Sequence, residues 1–216
     1  MWLRRNSGVK KLLAKLLPRW RSGLSVLLVL GVLGANFVAY QQARAMLRFV
    51  RAGERTASPE KLSLFAKARV LFTGVTLTRP ENRVTPKDVG FTFETRRFAG
   101  ANGIELEAWF VPAPRDATNG VVLLFHGYGA SKAALLAPAK EFHTLGWATL
   151  LVDFHGSGGS AGDTTSIGWQ EAEDVRAAFA EAARLVPDAR ACSTGLRWAR
   201  WRACARYMHS ACSRMR

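Results

Sequence analysis

Cysteine is missing from the first 191 residues; the three the chain has, Cys192, Cys204 and Cys212, all fall in the final 25. An odd number clustered in one arginine-rich tail is no framework for paired disulfides. A CxxC pair is lacking too, and His209 is the only histidine nearby, so the spacing points to no zinc or other metal site. Acid is nearly absent from both ends. Residues 1–55 carry eleven Lys/Arg against the single acid Glu54, and residues 190–216 carry seven Arg against none. The middle, 56–189, has thirteen basic and fifteen acidic residues. The net charge of +15 therefore sits at the two ends of a near-neutral body. A nucleic-acid partner would need a basic stripe across the folded part, so none is expected. The glycine-rich run Gly156-Ser157-Gly158-Gly159-Ser160 looks like a phosphate loop, but no Lys-Ser/Thr follows it, and no nucleotide or other cofactor is expected.

What is present begins with a membrane signal. Seven Lys/Arg precede a stretch from Leu24 to Tyr40 without any charge, bracketed by Trp20 and Tyr40. Its seventeen residues would span roughly 25 Å as a helix, the short end of what crosses a bilayer. A buried core helix seldom lacks any polar face, so this is read as a transmembrane signal anchor, with Leu12–Leu17 as an amphipathic helix resting on the membrane. Ala43-Arg44-Ala45 has the form of a signal-peptidase site, but the leader is long for a cleaved signal and the anchor is expected to stay. Basic residues before the span outnumber Arg44, Arg48, Arg51 and Arg55 after it. A cytoplasmic N-terminus and a domain on the non-cytoplasmic side follow.

Beyond the anchor, Ser58 and Pro59 start a short helix, and residues 75–89, with Pro80 and Pro86, read as a connector. Val89–Phe98 and Ile104–Val111 form an antiparallel pair around Gly100, Asn102 and Gly103. Val121–Phe125 and Trp147–Val152 are apolar runs suited to strands buried on both faces, with a helix over Ala133–Leu145 between them. In the helix Trp169–Val186, Ala172, Val175, Phe179, Ala182 and Val186 form the apolar face. Glu171, Glu173, Asp174, Arg176, Glu181 and Arg184 are expected to face away. The alternation implies an α/β domain with a parallel, doubly wound sheet. The divisions are a basic leader (1–23), the anchor (24–40), a helical linker (41–88), the α/β region (89–189) and an Arg/Cys/Trp-rich tail (190–216).

Two glycine-rich turns follow the two buried strands, at the strand ends where open α/β sheets bind ligands. The first, His126-Gly127-Tyr128-Gly129-Ala130-Ser131, resembles the HG-x-G element that follows the third strand of α/β-hydrolases. That resemblance makes the backbone N–H of Tyr128 an oxyanion donor, with His126, Gly127 and Gly129 as turn residues and close backbone approach through the glycines. His126 is not the family's base, which comes near the end of the domain. The second turn, Asp153-Phe154-His155-Gly156-Ser157-Gly158-Gly159-Ser160, resembles the family's D-x-R-G-x-G-x-S loop after the fourth strand. Asp153, Gly156 and Gly158 are then structural. His155 stands where the family commonly has arginine, which puts the salt bridge made there in question. The segment TTSIGWQEAEDVRAAF is similar to the helix before the nucleophile strand in dienelactone-hydrolase-like and serine-aminopeptidase-like members. The resemblance covers residues 89–189 and implies the N-terminal half of a serine hydrolase domain, whose small acyl substrate would need the whole domain.

A fifth strand and a G-x-S-x-G elbow should follow. Instead the tail has no lysine, no acid and no hydrophobic period. Ser131, Ser157 and Ser160 are on no elbow, so nucleophile, acid and base are all missing. Codon degeneracy allows a test. Read from the third base of the codon for Arg190, Trp198-Ala199 must give glycine and Met208-His209 must give alanine. Common codons then permit GVLYGASVGAVAGLRAVHALGVQPDA: an apolar strand, a G-A-S-V-G elbow and an amphipathic helix, the forced glycine closing the motif. The tail is accordingly read as out of frame. The alternative is a non-catalytic, membrane-anchored interaction protein with a cationic tail.

Overall fold

The computed structural model describes residues 7–51, 53–114, 119–187 and 191–195, with 7–22 and 191–195 as backbone only. Most of the tail's expected features, with Cys204, His209 and Cys212, lie outside the described residues. The chain divides into two compact units, one of residues up to Arg44 together with Ser58–Gly74, the other of Ala45–Ala57 and the residues from Val75 onward.

The first unit is built on α1, Ser7–Met46, one continuous helix where the sequence suggested a separate leader and span. Its stretch Gly23–Met46 is long and apolar enough to cross a membrane. Leu27, Leu28, Leu30 and Phe37 are among the large apolar side chains exposed along it. Ser58 precedes a short 3₁₀ turn, Pro59–Lys61, but its side chain caps nothing. The cap is made five residues later. Ser63 accepts the Ala66 N–H at 3.2 Å and starts α2, Leu64–Thr73, which ends at Gly74 with φ 84°.

The second unit opens with a two-stranded parallel ribbon, β1 (Phe49–Val50) and β2 (Leu77–Thr78). Its main sheet holds β3 (Glu94–Ala99), β4 (Glu105–Val111), β5 (Val121–Phe125), β6 (Ala148–Val152) and β7 (Ala191–Gly195), in the order β3-β4-β6-β5-β7. β4 runs antiparallel to β3 and to β6, so the sheet is mixed, not wholly parallel. β5 pairs in parallel with β6 on one side and β7 on the other. A strand therefore occupies the fifth position, which the tail's composition did not promise. Ladder hydrogen bonds ask only for an extended backbone with free N–H and C=O groups, and Ala191–Gly195 supplies both. It also gives β5 a neighbour on each side.

Two helices of the second unit, α3 (Leu136–Thr144) and α4 (Glu171–Leu185), cover opposite faces of the sheet. Val121, Leu123 and Phe125 pack with Val175, Ala178 and Ala182 of α4; Val122 and Leu124 pack with Leu136 and Ala139 of α3. This two-sided burial is why β5 and β6 need unbroken apolar runs. On α4 the sequence reading needs correction: Glu171, Asp174 and Glu181 are buried, not outward-facing. Each has a donor to receive it. Glu181 pairs with Arg96 at 3.2 Å, and the other two accept hydrogen bonds from loops at the strand ends.

Candidate functional site

The turns after β5 and β6 lie side by side, and one buried carboxylate ties them together. Asp153, at the end of β6, accepts the backbone N–H of Lys132 at 2.7 Å, Asn82 Nδ2 at 2.7 Å and the Gly159 N–H at 2.9 Å. Its fourth partner is Lys132 Nζ, 2.5 Å from Oδ2. Lys132 is itself fully buried, reaches Glu107 Oε1 at 2.8 Å, and lies 4.5 Å from the Trp109 ring centre. Burial alone would raise the Asp153 carboxyl. The Lys132 charge and hydrogen bonds, with that of Asn82, outweigh it and hold the group below its ordinary value.

His126 joins the turns directly. Its Nε2 accepts the Phe154 N–H at 3.1 Å, which leaves Nδ1 to carry the proton toward the Gly127 carbonyl 2.9 Å away. Burial pushes its pKa down, so the neutral ring fits this role. Both nitrogens serve the backbone. Between them, His126 and Asp153 hold the turn that carries Tyr128, whose hydroxyl donates to the Met46 carbonyl. Gly129 has φ 68° and open space where a Cβ would point, so its conformation, not a close approach, is what calls for glycine. Gly158 is tighter: at φ 49°, a Cβ would fall 1.9 Å from Asp153 Oδ2.

His155, in the arginine position, does form an ionic contact. Its Nδ1 lies 2.6 Å from Asp174 Oδ2, and its buried Nε2 faces Glu171 Oε1 at 3.6 Å without a hydrogen-bond partner. Burial disfavours the imidazolium, but the hydrogen bond and charge of Asp174, with the charge of Glu171, raise its pKa overall. Glu171 also accepts from Thr165 Oγ1, the Ser166 N–H and Oγ, and the Gly168 N–H. Burial opposes its charge, yet these bonds bring the carboxyl down to about 2. Arg79, in the connector, donates to the carbonyls of Ser157, Gly158, Ser160 and Gly162.

The turns border a cleft lined in part by Phe49, His126, Tyr128, His155, Ser157 and Glu171. The hydroxyls of Ser131 and Ser160 donate to the carbonyls of Glu81 and Asp153, which engages them in structure. Sequence reasoning missed Lys132, Glu107, Asn82 and Arg79, and gave Asp174 and Glu171 the wrong face. For the last two a signal existed: Glu171 stands four residues before Val175 and Asp174 four before Ala178, on the stripe that packs against the sheet.

No family model and no curated protein matches the chain. Solved structures do resemble it. An esterase of Pyrococcus furiosus is 26% identical with a TM-score of 0.49, over 55% of this chain and 47% of that one. An α/β serine hydrolase without a lid from Xanthomonas campestris is 20% identical with a TM-score of 0.46, over 54% and 57%. A thermostable carboxyl esterase of Bacillus coagulans is 23% identical with a TM-score of 0.42, over 47% and 35%. The chain spans about half the length of the Pyrococcus and Xanthomonas proteins and about a third of the Bacillus one. The strand order, the single antiparallel strand β4 and the two turns after β5 and β6 are those of the N-terminal half of an α/β-hydrolase fold.

Proposed function

We propose that this chain is membrane-anchored and carries the oxyanion half of a serine hydrolase acting on an ester, thioester or amide, and that as written it is catalytically incomplete. The observation that carries this reading is the register of β5 and β7. Phe125 pairs with Gly195, so both strands end level with one another at the edge that carries His126–Gly129. A nucleophile elbow after β7 would meet the Tyr128 N–H there. Acyl transfer builds negative charge on the substrate oxygen, and a donor already held in place stabilises that charge without reorganising. His126 and Asp153 supply the rigidity by fixing the turn from the side of β6.

In the shifted frame the segment at β7 becomes GVLYG and the elbow GASVG. The serine of that elbow is the nucleophile, with its base and acid further on. The test is labelling with a fluorophosphonate, which reacts only with an activated serine. The chain as written gives no label. A version with one nucleotide added near codon 190, read on through the shifted frame far enough to supply a base and an acid, labels at the GASVG serine and hydrolyses a short p-nitrophenyl ester. Tyr128→Pro in that version lowers the rate by about 10²–10³, the scale for one oxyanion donor. Label on any serine of the unrepaired chain refutes its incompleteness. In the same membranes, the chain resists carbonate extraction and residues beyond Arg55 are cut by protease from the non-cytoplasmic side. Release by carbonate would remove the anchor from the proposal.

A further inference from the structure

Helix α2 presents an apolar stripe that, among the described residues, nothing in its own unit covers. Leu64 is 84% exposed, Phe65 83%, Leu71 58% and Phe72 60%. At 100° per residue these four and Ala68 fall on one continuous arc, with Lys67 on one flank and Arg69 on the other. Ala66 and Val70, on the opposite side, are the partly buried positions. The helix holds no acid. Its end is fixed to the apolar helix α1: Gln42 Nε2 donates to the carbonyls of Val70 at 2.8 Å and Leu71 at 2.6 Å. Those carbonyls belong to the last turn, and that of Val70 also accepts the Gly74 N–H at 2.8 Å. Gln42 lies two residues beyond Tyr40, where the apolar run gives way to polar residues, and two before Arg44, the first charge after it.

We propose that α2 is an interfacial helix, whose Leu64–Phe65–Ala68–Leu71–Phe72 stripe lies in the headgroup region of the same bilayer that α1 crosses. This inference rests on the membrane-anchored reading above. If α1 spans, Gln42 sits at the depth where hydrocarbon gives way to headgroups, and two hydrogen bonds hold the end of α2 at that depth. A short helix lying in this layer buries an apolar stripe among the upper acyl chains, while flanking cations reach up to lipid phosphates along their apolar stems. Lys67 and Arg69 border the stripe where such cations would stand, and anionic lipid favours them. The pairing is continuous: α1 supplies the span, and α2 is the adjoining surface at its end.

The test uses the full chain with Cys192, Cys204 and Cys212 changed to serine, reconstituted in phosphatidylcholine–phosphatidylglycerol vesicles (3:1). Single cysteines at Phe65→Cys, Leu71→Cys, Leu30→Cys and Lys140→Cys carry an environment-sensitive fluorophore, and doxyl-labelled phosphatidylcholines serve as quenchers. Labels at 65 and 71 are expected to be quenched more strongly by a doxyl near the headgroup than by one deep in the chain. The label at 30 should show the reverse order, and the label at 140, on exposed α3, should be quenched by neither. Quenching at 30 without quenching at 65 and 71 overturns the interfacial helix and leaves the anchor standing. Failure at all three sites overturns the anchor and this inference with it. Protection of the label at 65 from aqueous iodide by excess unlabelled chain, with no lipid quenching, assigns the stripe to a second copy and overturns the proposal.

Discussion

Replacing Lys132 by methionine takes the cation out of a fully buried cluster and leaves its acids behind. At an effective dielectric near 20, charges 2.5 Å and 2.8 Å apart attract by roughly 6–7 kcal/mol each, and desolvation of the ions offsets most of that gross figure. The net worth of the pair is therefore small, but the cost of breaking it is not. An uncompensated buried charge costs about 3–5 kcal/mol. Lys132→Met should fall near 3, because Asp153 keeps three N–H donors, from Asn82 Nδ2, Gly159 and the backbone of position 132, and Glu107 keeps Arg97 at 3.0 Å. Methionine also keeps the apolar stem against Trp109. Asp153→Asn added to Lys132→Met removes the stranded charge, so the double variant should recover about 1–3 kcal/mol relative to the sum of the single ones. Pulse proteolysis of the full chain in mild detergent across a urea series reads this directly. With a slope of about 1–3 kcal/mol per M, Lys132→Met should lower the midpoint by at least about 1 M. A loss under about 1 kcal/mol, or strict additivity, would refute the claim that this pair holds the two turns together.

Two further outcomes follow from the same loops. His155 is held above its ordinary pKa, so its stabilisation is complete below about pH 6.5 and disappears as pH rises through the folded value. Buried His126 works the other way, losing stability as pH falls below about 6.5, so the readout must be the difference between wild type and His155→Gln. That difference should be largest near pH 6 and shrink toward pH 9; a pH-independent difference would mean His155 is neutral in the fold. Gly158→Ala puts a Cβ on the Asp153 carboxylate at φ 49°, whereas Gly129→Ala meets only the left-handed backbone penalty of about 1–2 kcal/mol. Melting of both should show Gly158→Ala at least twice as costly, and equal losses would rule out the packing of the loop on Asp153.

The apolar runs Val121–Phe125 and Trp147–Val152, the glycine turns after them and the uncharged stretch Leu24–Tyr40 were all legible in the sequence. Each is a local requirement: burial on both strand faces demands unbroken apolar residues, positive φ demands glycine, and a helix able to cross a membrane demands length without charge. The helix α4 was legible for the same reason, through its period. The sequence could not reveal that Lys132, Asp153 and Glu107 meet, because they come from three elements separated by 21 and 25 residues and their burial depends on all three arriving together. Nor could it rank Asp174 as buried: an acid on an apolar stripe is tolerated only where donors such as His155 and the Ala101 N–H wait for it, and these are brought by the sheet order. The strand at Ala191–Gly195 was the least legible of all. Its backbone pairs along the edge of β5, and a backbone edge has no signature in a sequence.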